Sequence, residues 1–304
     1  MTFQVFKTII INALEGIYPE ASIDVIPVKK NNNSTLSGLV IKKKDVNIAP
    51  TIYLDYYYGC YNRGASIDEI TKRIVNIYEK NAVAKSLDFD FMCNFDAIKD
   101  NVIYKLVNRE KNKELLETVP YVEFLDLAIV FYYVIDLSLI TDASSGVILL
   151  TNDMTDYWGI SALELLDVAN KNTPKLCGLK IRNMFEYICS ISNIPFEDDP
   201  LFAQAIQNPV YILTNDMMQH GATVMIYENT LNMLASKLKT DFYILPSSIH
   251  EVLVFPVNDA DYEEIERFKS MVLMVNDEHV PSEEVLSNSV YYYDRNNGRL
   301  MIAA

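Results

Sequence analysis

The stretch Asp241-Phe-Tyr-Ile-Leu-Pro-Ser-Ser-Ile-His-Glu-Val-Leu-Val-Phe-Pro256 decides how this chain is read. Phe242–Leu245 and Val252–Phe255 are apolar runs of strand length, rich in β-branched and aromatic residues. Between them stand Pro246, Ser247, Ser248, His250 and Glu251. Two strands therefore meet at a corner crowded with hydroxyls, an imidazole and a carboxylate, as many functional sites are built.

Outward from this corner the C-terminal part alternates. Val210–Thr214 and Ala222–Tyr227 read as strands. Leu231, Leu234, Ala235 and Leu238 mark a helix, and Tyr262–Met274 a second one. Val290–Tyr293 and Leu300–Ile302 form a hairpin around Asn297-Gly298, a strong two-residue turn signal.

The N-terminal part has the order α-β-β-β-α. Phe6, Ile9, Ile10, Leu14 and Ile17 lie on one helical stripe. Ile23–Val28, Thr35–Ile41 and Thr51–Tyr58 read as strands, with a turn at Asn31–Asn33. Ser66-Ile-Asp-Glu69 is a capping box, opening a helix with Ile67, Ile70, Ile74 and Ile77 inward.

In the middle, residues 95–117 read as charged helix ended by Pro120, and Phe124–Ile135 as a buried strand. Residues 142–146 form a turn, and Val147–Thr151 the return strand. Ser161-Ala-Leu-Glu164 caps a helix to about Asn170, and residues 190–200 make an exposed boundary. Leu150-Thr-Asn-Asp-Met154 recurs as Leu213-Thr-Asn-Asp-Met217, either a duplicated strand–loop–helix unit or a coincidence of two strand ends.

The expected fold is α+β: two lobes, each a mainly antiparallel sheet with helices packed on one face. The 304 residues, half of them apolar, are ample for this. The expected division is an N-terminal lobe 1–120, a middle region 121–194 and a C-terminal lobe 195–304.

The net charge is −15 and uneven. Residues 195–304 hold 17 Asp+Glu against 6 Lys+Arg, and the preceding residues 24 against 20. Phosphate-backbone binding needs a basic surface, so nucleic acid is disfavoured, and a protein partner with a basic or neutral surface is favoured. Cys60, Cys93, Cys177 and Cys189 form no CxxC pair and read as free thiols of a reducing compartment. The N-terminus lacks a signal-peptide pattern, and Phe124–Ile135 is too short to span a bilayer. The expectation is a soluble, cytoplasmic protein without membrane association.

Several chemistries have no motif here. The nine glycines form neither GxGxxG nor GxxxxGK[ST], and no GxSxG elbow occurs. His250-Glu251 lacks the second His of a zincin helix, and His220, His250 and His279 are the only histidines. No metal or cofactor is implied.

These motifs together resemble a family of uncharacterised proteins from gut clostridia, known as a domain of unknown function. The resemblance rests on Tyr211-Ile-Leu-Thr-Asn215, His220-Gly-Ala222, Phe242 through Val252, Glu283-Glu-Val-Leu-Ser287 and Val290-Tyr-Tyr-Tyr-Asp294. Earlier matches are Ser37-Gly-Leu-Val-Ile41, Pro50-Thr-Ile-Tyr-Leu54, Val122-Glu-Phe-Leu-Asp-Leu-Ala128, Trp158-Gly159 and Asn172-Thr-Pro174. A looser likeness exists to a second uncharacterised, bacillar family. Neither implies an activity.

Two readings of the corner stand side by side. As a site, Asn215, His220 and Glu251 bind, and His250 acts as base toward Ser247 or Ser248, oriented by Glu251 or Asp216. Strand alternation sends residues 250 and 251 to opposite faces, which opposes this grouping unless a bulge intervenes. As a turn, the hydroxyls bond local backbone and His250 is a satisfied, partly buried residue. Tyr53, Tyr56, Tyr57, Tyr58 and Tyr61 form a second cluster, with Tyr53 and Tyr57 as contact candidates for a partner, or else strand packing. Lys29, Lys30 and Lys42–Lys44 read as a solvated edge that blocks unwanted pairing.

The functional reading that follows is a non-catalytic interaction or regulatory protein. The alternative is a hydrolase at the Ser247–His250 corner, and the lesser one an acidic mimic of nucleic acid.

Overall fold

The computed structural model describes residues 1–82, 86–136, 145–192, 209–257 and 262–304. The first helix, α1 (Phe3–Ile17), starts where the Thr2 hydroxyl accepts the Val5 N–H at 3.4 Å. It buries Phe6, Ile10 and Leu14 completely. Each such side chain is worth about 1.5–3 kcal/mol of burial. β1 (Ser22–Lys29) and β2 (Thr35–Lys42) pair antiparallel around Asn32 and Asn33, both left-handed. β3 (Thr51–Tyr53) closes this small sheet against β2.

The strand expected to run to Tyr58 stops at Tyr53, and the tyrosines instead stand on a helix, α2 (Leu54–Asn62). Leu54, Tyr57 and Cys60 recur every third residue and are buried, a helical spacing that outweighs the β-propensity of tyrosine. The Asp55 carboxylate, in the first turn, accepts the Ser37 N–H at 2.7 Å and turns the chain back over β2. α3 (Ile67–Asn81) begins where the Ser66 hydroxyl accepts the Glu69 N–H at 3.2 Å. It buries Ile70, Ile74 and Tyr78, whereas Ile77, expected inward, is exposed.

Residues 95–117 depart most from expectation. α4 (Phe95–Ile98) and α5 (Lys113–Leu116) are single turns, and between them runs a strand, β4 (Val102–Asn108). β4 is buried along its whole length. Apart from the buried Lys105, the charges that suggested a helix flank it rather than belong to it.

The run Phe124–Ile135 is also two pieces. β5 (Tyr121–Phe124) and β6 (Leu127–Asp136) fold on each other across Leu125, whose φ is 55°. β7 (Ser145–Leu149) pairs with β6, giving a sheet of order β4-β6-β5 with β7 as an extra strand. The turn expected at 142–146 lies largely outside the described residues.

α6 (Asn152–Trp158) precedes α7 (Ala162–Cys177), which has both halves of the Ser161/Glu164 capping box and runs past its expected end. β8 (Lys180–Asn183) and α8 (Met184–Ser192) follow. The expected boundary at 190–200 lies outside the described residues from 193 on.

The remaining chain completes a six-stranded antiparallel sheet of order β13-β12-β10-β11-β9-β8. Its strands are β9 (Tyr211–Thr214), β10 (Phe242–Leu245), β11 (Val252–Pro256), β12 (Tyr291–Asp294) and β13 (Arg299–Ile302). Its helices are α9 (Thr230–Leu238) and α10 (Tyr262–Glu278). Tyr243 and Leu245 pack with Phe268 and Val272 of α10. Phe242, Ile244 and Tyr291, on the opposite face, are equally buried. A sheet covered on both faces needs a continuous apolar run rather than alternation, which is what Phe242–Leu245 provides.

Ala222–Tyr227 is not a strand. Gly221–Ile226 forms a 3-10 segment, entered through His220 with φ 51°. Ala222, Val224 and Met225 are buried, and the segment packs against the end of β9 rather than in a ladder.

The chain divides into two compact units, Met1–Ala97 with Val134–Ile148, and Ile98–Tyr133 with Leu149–Ala304. The architecture is α+β, built, among the described residues, on three mainly antiparallel sheets. Among the described residues no helix is long and apolar enough to cross a membrane.

Candidate functional site

The corner between β10 and β11 is strapped to residues 284–287. Ile249 N–H donates to Glu284 O at 2.9 Å, Leu286 N–H to Ser247 O at 2.9 Å, and Ser287 N–H to Pro246 O at 3.0 Å. The end of β9 closes on it from the other side. The Thr214 hydroxyl donates to His250 O at 2.8 Å, and Ala222 N–H donates to Ile249 O at 3.1 Å.

Asn215 is 3% exposed. Its carboxamide grips Gln219 from both sides, accepting the N–H at 3.2 Å and donating to the carbonyl at 2.7 Å. This tight loop presents His220 and then Gly221. A Cβ on Gly221 would lie 2.2 Å from Thr214 Oγ1 and 2.5 Å from His250 O, so only glycine fits.

His250 sits at the centre. The His220 backbone N–H donates to its Nδ1 at 3.3 Å, so Nδ1 acts as acceptor and the ring proton lies on Nε2. Nε2 faces Glu284 Oε1 at 3.4 Å. The His220 and His250 rings lie 5.8 Å apart.

The Ser248 hydroxyl accepts the His250 N–H at 3.0 Å and is hydrogen-bonded to the Glu251 carboxylate. Burial pushes the Glu251 carboxyl above its usual range, and Glu284 adds to this; His250 and the Ser248 bond pull the other way. His250 and Glu251 share one cluster because both precede Val252, where β11 begins, so strand alternation does not apply to them.

The fold therefore gathers Asn215, His220, Ser248, His250 and Glu251. Ser247 is held through its backbone carbonyl. Among the described residues, neither ring nitrogen of His250 bonds a serine hydroxyl. Asp216 lies against Gly178 and pairs with Lys180, whose Nζ is 3.4 Å from Oδ1.

Tyr53 and Tyr57 belong to the first unit. Tyr57 is core, 5% exposed, and burial raises its phenol above the usual range. Tyr53 lies under Lys30 Nζ, 3.9 Å from the ring centroid. Tyr56 is the exposed member of the group, at 64%.

Glu284 was not among the expected site residues. It reaches His250 because Ser248 bridges Val285, a pairing between distant segments. A second polar knot lies in the same unit. The Asp126 carboxylate accepts the hydroxyls of Ser287 at 2.5 Å, of Ser289 at 3.1 Å, and of Tyr291. Burial, with the charge of Asp126, pushes the Tyr291 phenol far up. Among the described residues no group of His, Cys, Asp and Glu is placed to hold a metal ion.

The two copies of Leu-Thr-Asn-Asp-Met take different structures. Asn152 opens α6, whereas Asn215 closes a loop upon itself.

Comparison with curated proteins finds no match, and comparison with solved structures finds none either. A family model does match, over residues 3–295. Its description is a family of unknown function, DUF5688, and the chain belongs to that family.

Proposed function

We propose that the chain is a non-catalytic interaction or regulatory protein that acts by binding another protein. The observation that carries this reading is the apolar surface that its amphipathic helices keep exposed. In α1 the buried stripe is Phe6, Ile10 and Leu14, and a second stripe of Val5, Ile9 and Ile17 faces solvent. In α10, Phe268 and Val272 pack inward while Met271, Leu273 and Met274 are exposed. Doubly apolar helices of this kind mark contact surfaces. The net charge of −15 favours a partner whose surface is basic or neutral.

Affinity capture with the full chain from cells of its source tests the reading. The expected result is one protein recovered at a stoichiometric ratio. Recovery of no such partner counts against it.

A hydrolase centred on Ser247, Ser248 and His250 is the second reading. In its favour, the fold gathers a histidine, a serine and two carboxylates, and Glu251 is held above its usual pKa. Against it, Nδ1 of His250 is occupied by the His220 N–H and Nε2 faces Glu284. A base toward Ser248 needs one of those nitrogens free. Turnover of activated esters that disappears in His250→Ala and in Ser248→Ala would establish this reading over the first.

A further inference from the structure

The second unit treats two strand edges differently. At the β4 edge, side chains of α7 satisfy the backbone. Asn172 Nδ2 donates to Val102 O at 3.1 Å, and the Thr173 hydroxyl accepts the Tyr104 N–H at 3.1 Å. In the six-stranded sheet, the edge strand β13 is bonded, among the described residues, to β12 alone. Ala303 N–H donates to Val290 O at 2.7 Å, which fixes the phase of the ladder. By the alternation of an antiparallel pair, residues 299, 301 and 303 then face β12. Leu300 and Ile302 present their N–H and C=O outward. Among the described residues no side chain bonds these outward groups.

A groove of about 670 Å³ runs beside this edge, within the same unit, and Leu300 belongs to both. Leu166 and Leu231 give it apolar surface, and Asn170, Asn232 and Asn297 give it carboxamides. Among the described residues, Arg295 is the one charged residue of the lining, and no carboxylate is part of it.

We infer that the β13 edge and this groove form a docking site for an extended apolar segment of a protein partner that carries no base on its groove-facing side, added to the sheet as a further strand. The inference rests on the reading of the chain as an interaction protein and names the site and partner chemistry. Only a main chain supplies donors and acceptors at the spacing that Leu300 and Ile302 require. Side chains on one face of the added strand fall over the groove at every second position. Apolar ones bury against Leu166 and Leu231. A Lys or Arg there would meet Arg295, so the segment carries no base on that face. Asn170 and Asn232 can bond peptide groups where the segment leaves the strand.

A random peptide display library selected on the immobilised full chain tests this. The selected peptides should carry apolar residues at alternate positions and no base among them. A synthetic representative should slow amide exchange at Leu300 and Ile302. Ile302→Pro removes an outward N–H from a side chain already 43% exposed, leaving the β12 ladder intact, and should weaken binding about tenfold or more. N-methylation of alternate peptide amides gives the same test on unaltered protein: one phase should abolish binding and the other leave it.

The inference fails if no peptide is selected. It fails if binding is unchanged by Ile302→Pro and by both methylation phases. It fails also if the chain proves to be a dimer that Ile302→Pro dissociates, since the edge then serves a second copy. A natural partner that binds Ile302→Pro as well as the parent chain sinks this inference and leaves the interaction reading standing.

Discussion

Gly221 shows how tightly the corner is built. A methyl group there meets Thr214 Oγ1, His250 O and Asn215 N at 2.2, 2.5 and 2.7 Å, and two of these are backbone atoms that cannot swing aside. Overpacking of this kind costs about 1–3 kcal/mol. Gly221→Ala should therefore lower the urea midpoint by a corresponding amount, and an unchanged midpoint would show that the β9 loop is loose. Glu251 gives a pH prediction. Its folded pKa lies above 4.5, so in the window from that value up to the folded pKa the native state holds the proton more firmly than the unfolded chain does. Stability contributed by this group falls as pH rises through the window. Glu251→Gln should raise the melting temperature at neutral pH, with the gain shrinking as the pH is lowered toward 4.5. A gain independent of pH would assign the effect to packing. The residues around His250 were legible as a group because they are close in sequence at a Pro-Ser-Ser corner. Glu284 and Asp126 were not, since each joins its partners through pairing between distant segments.

Among the elements, α7 does more than cover apolar surface. Thr173, 1% exposed, accepts the Tyr104 N–H and donates to Ala169 O at 2.8 Å, tying the edge of β4 to the helix. Thr173→Val keeps the shape and leaves the Tyr104 N–H buried without a partner, at a cost of about 1–3 kcal/mol. Thermal melting should show that loss, with Thr173→Ser largely retaining stability; equal melting of both variants would argue that the bond is dispensable. The capping box at Ser161 gives a smaller expectation. Ser161→Ala should cost about 1 kcal/mol by denaturant unfolding, whereas no change would mean the start of α7 is fixed by packing alone. Elements with local signals were readable: both caps, the β1–β2 turn, the β10–β11 corner and the Asn-Gly hairpin of β12 and β13. Three others were not. β4 is short and set between charged turns, so its neighbours dominated the reading. The tyrosines of α2 favour strands by propensity and are helical by spacing. Gly221–Ile226 is apolar because it is buried under the sheet end, and burial alone does not specify a period.

At the scale of the molecule, each unit has its own core. Phe6, Leu39, Leu54 and Ile70 anchor one, and Tyr243, Phe268 and Val290 anchor part of the other. The α+β class was legible from the order of elements. The discontinuous grouping was not, because no mark in the sequence ties residues 134–136 and 145–148 to the first unit. The expected partition into 1–120, 121–194 and 195–304 groups the chain differently. The chain is proposed to work by holding a protein partner, with the C-terminal hairpin as one of its contacts. Hydrogen exchange of the full chain, free and bound to the partner recovered by capture, tests this most directly. The expected result is slowed exchange at Leu300 and Ile302 and in the segments that line the neighbouring groove, with the amides of residues 247–251 unchanged. Slowed exchange confined to the His250 corner, or none anywhere on the chain, would contradict it.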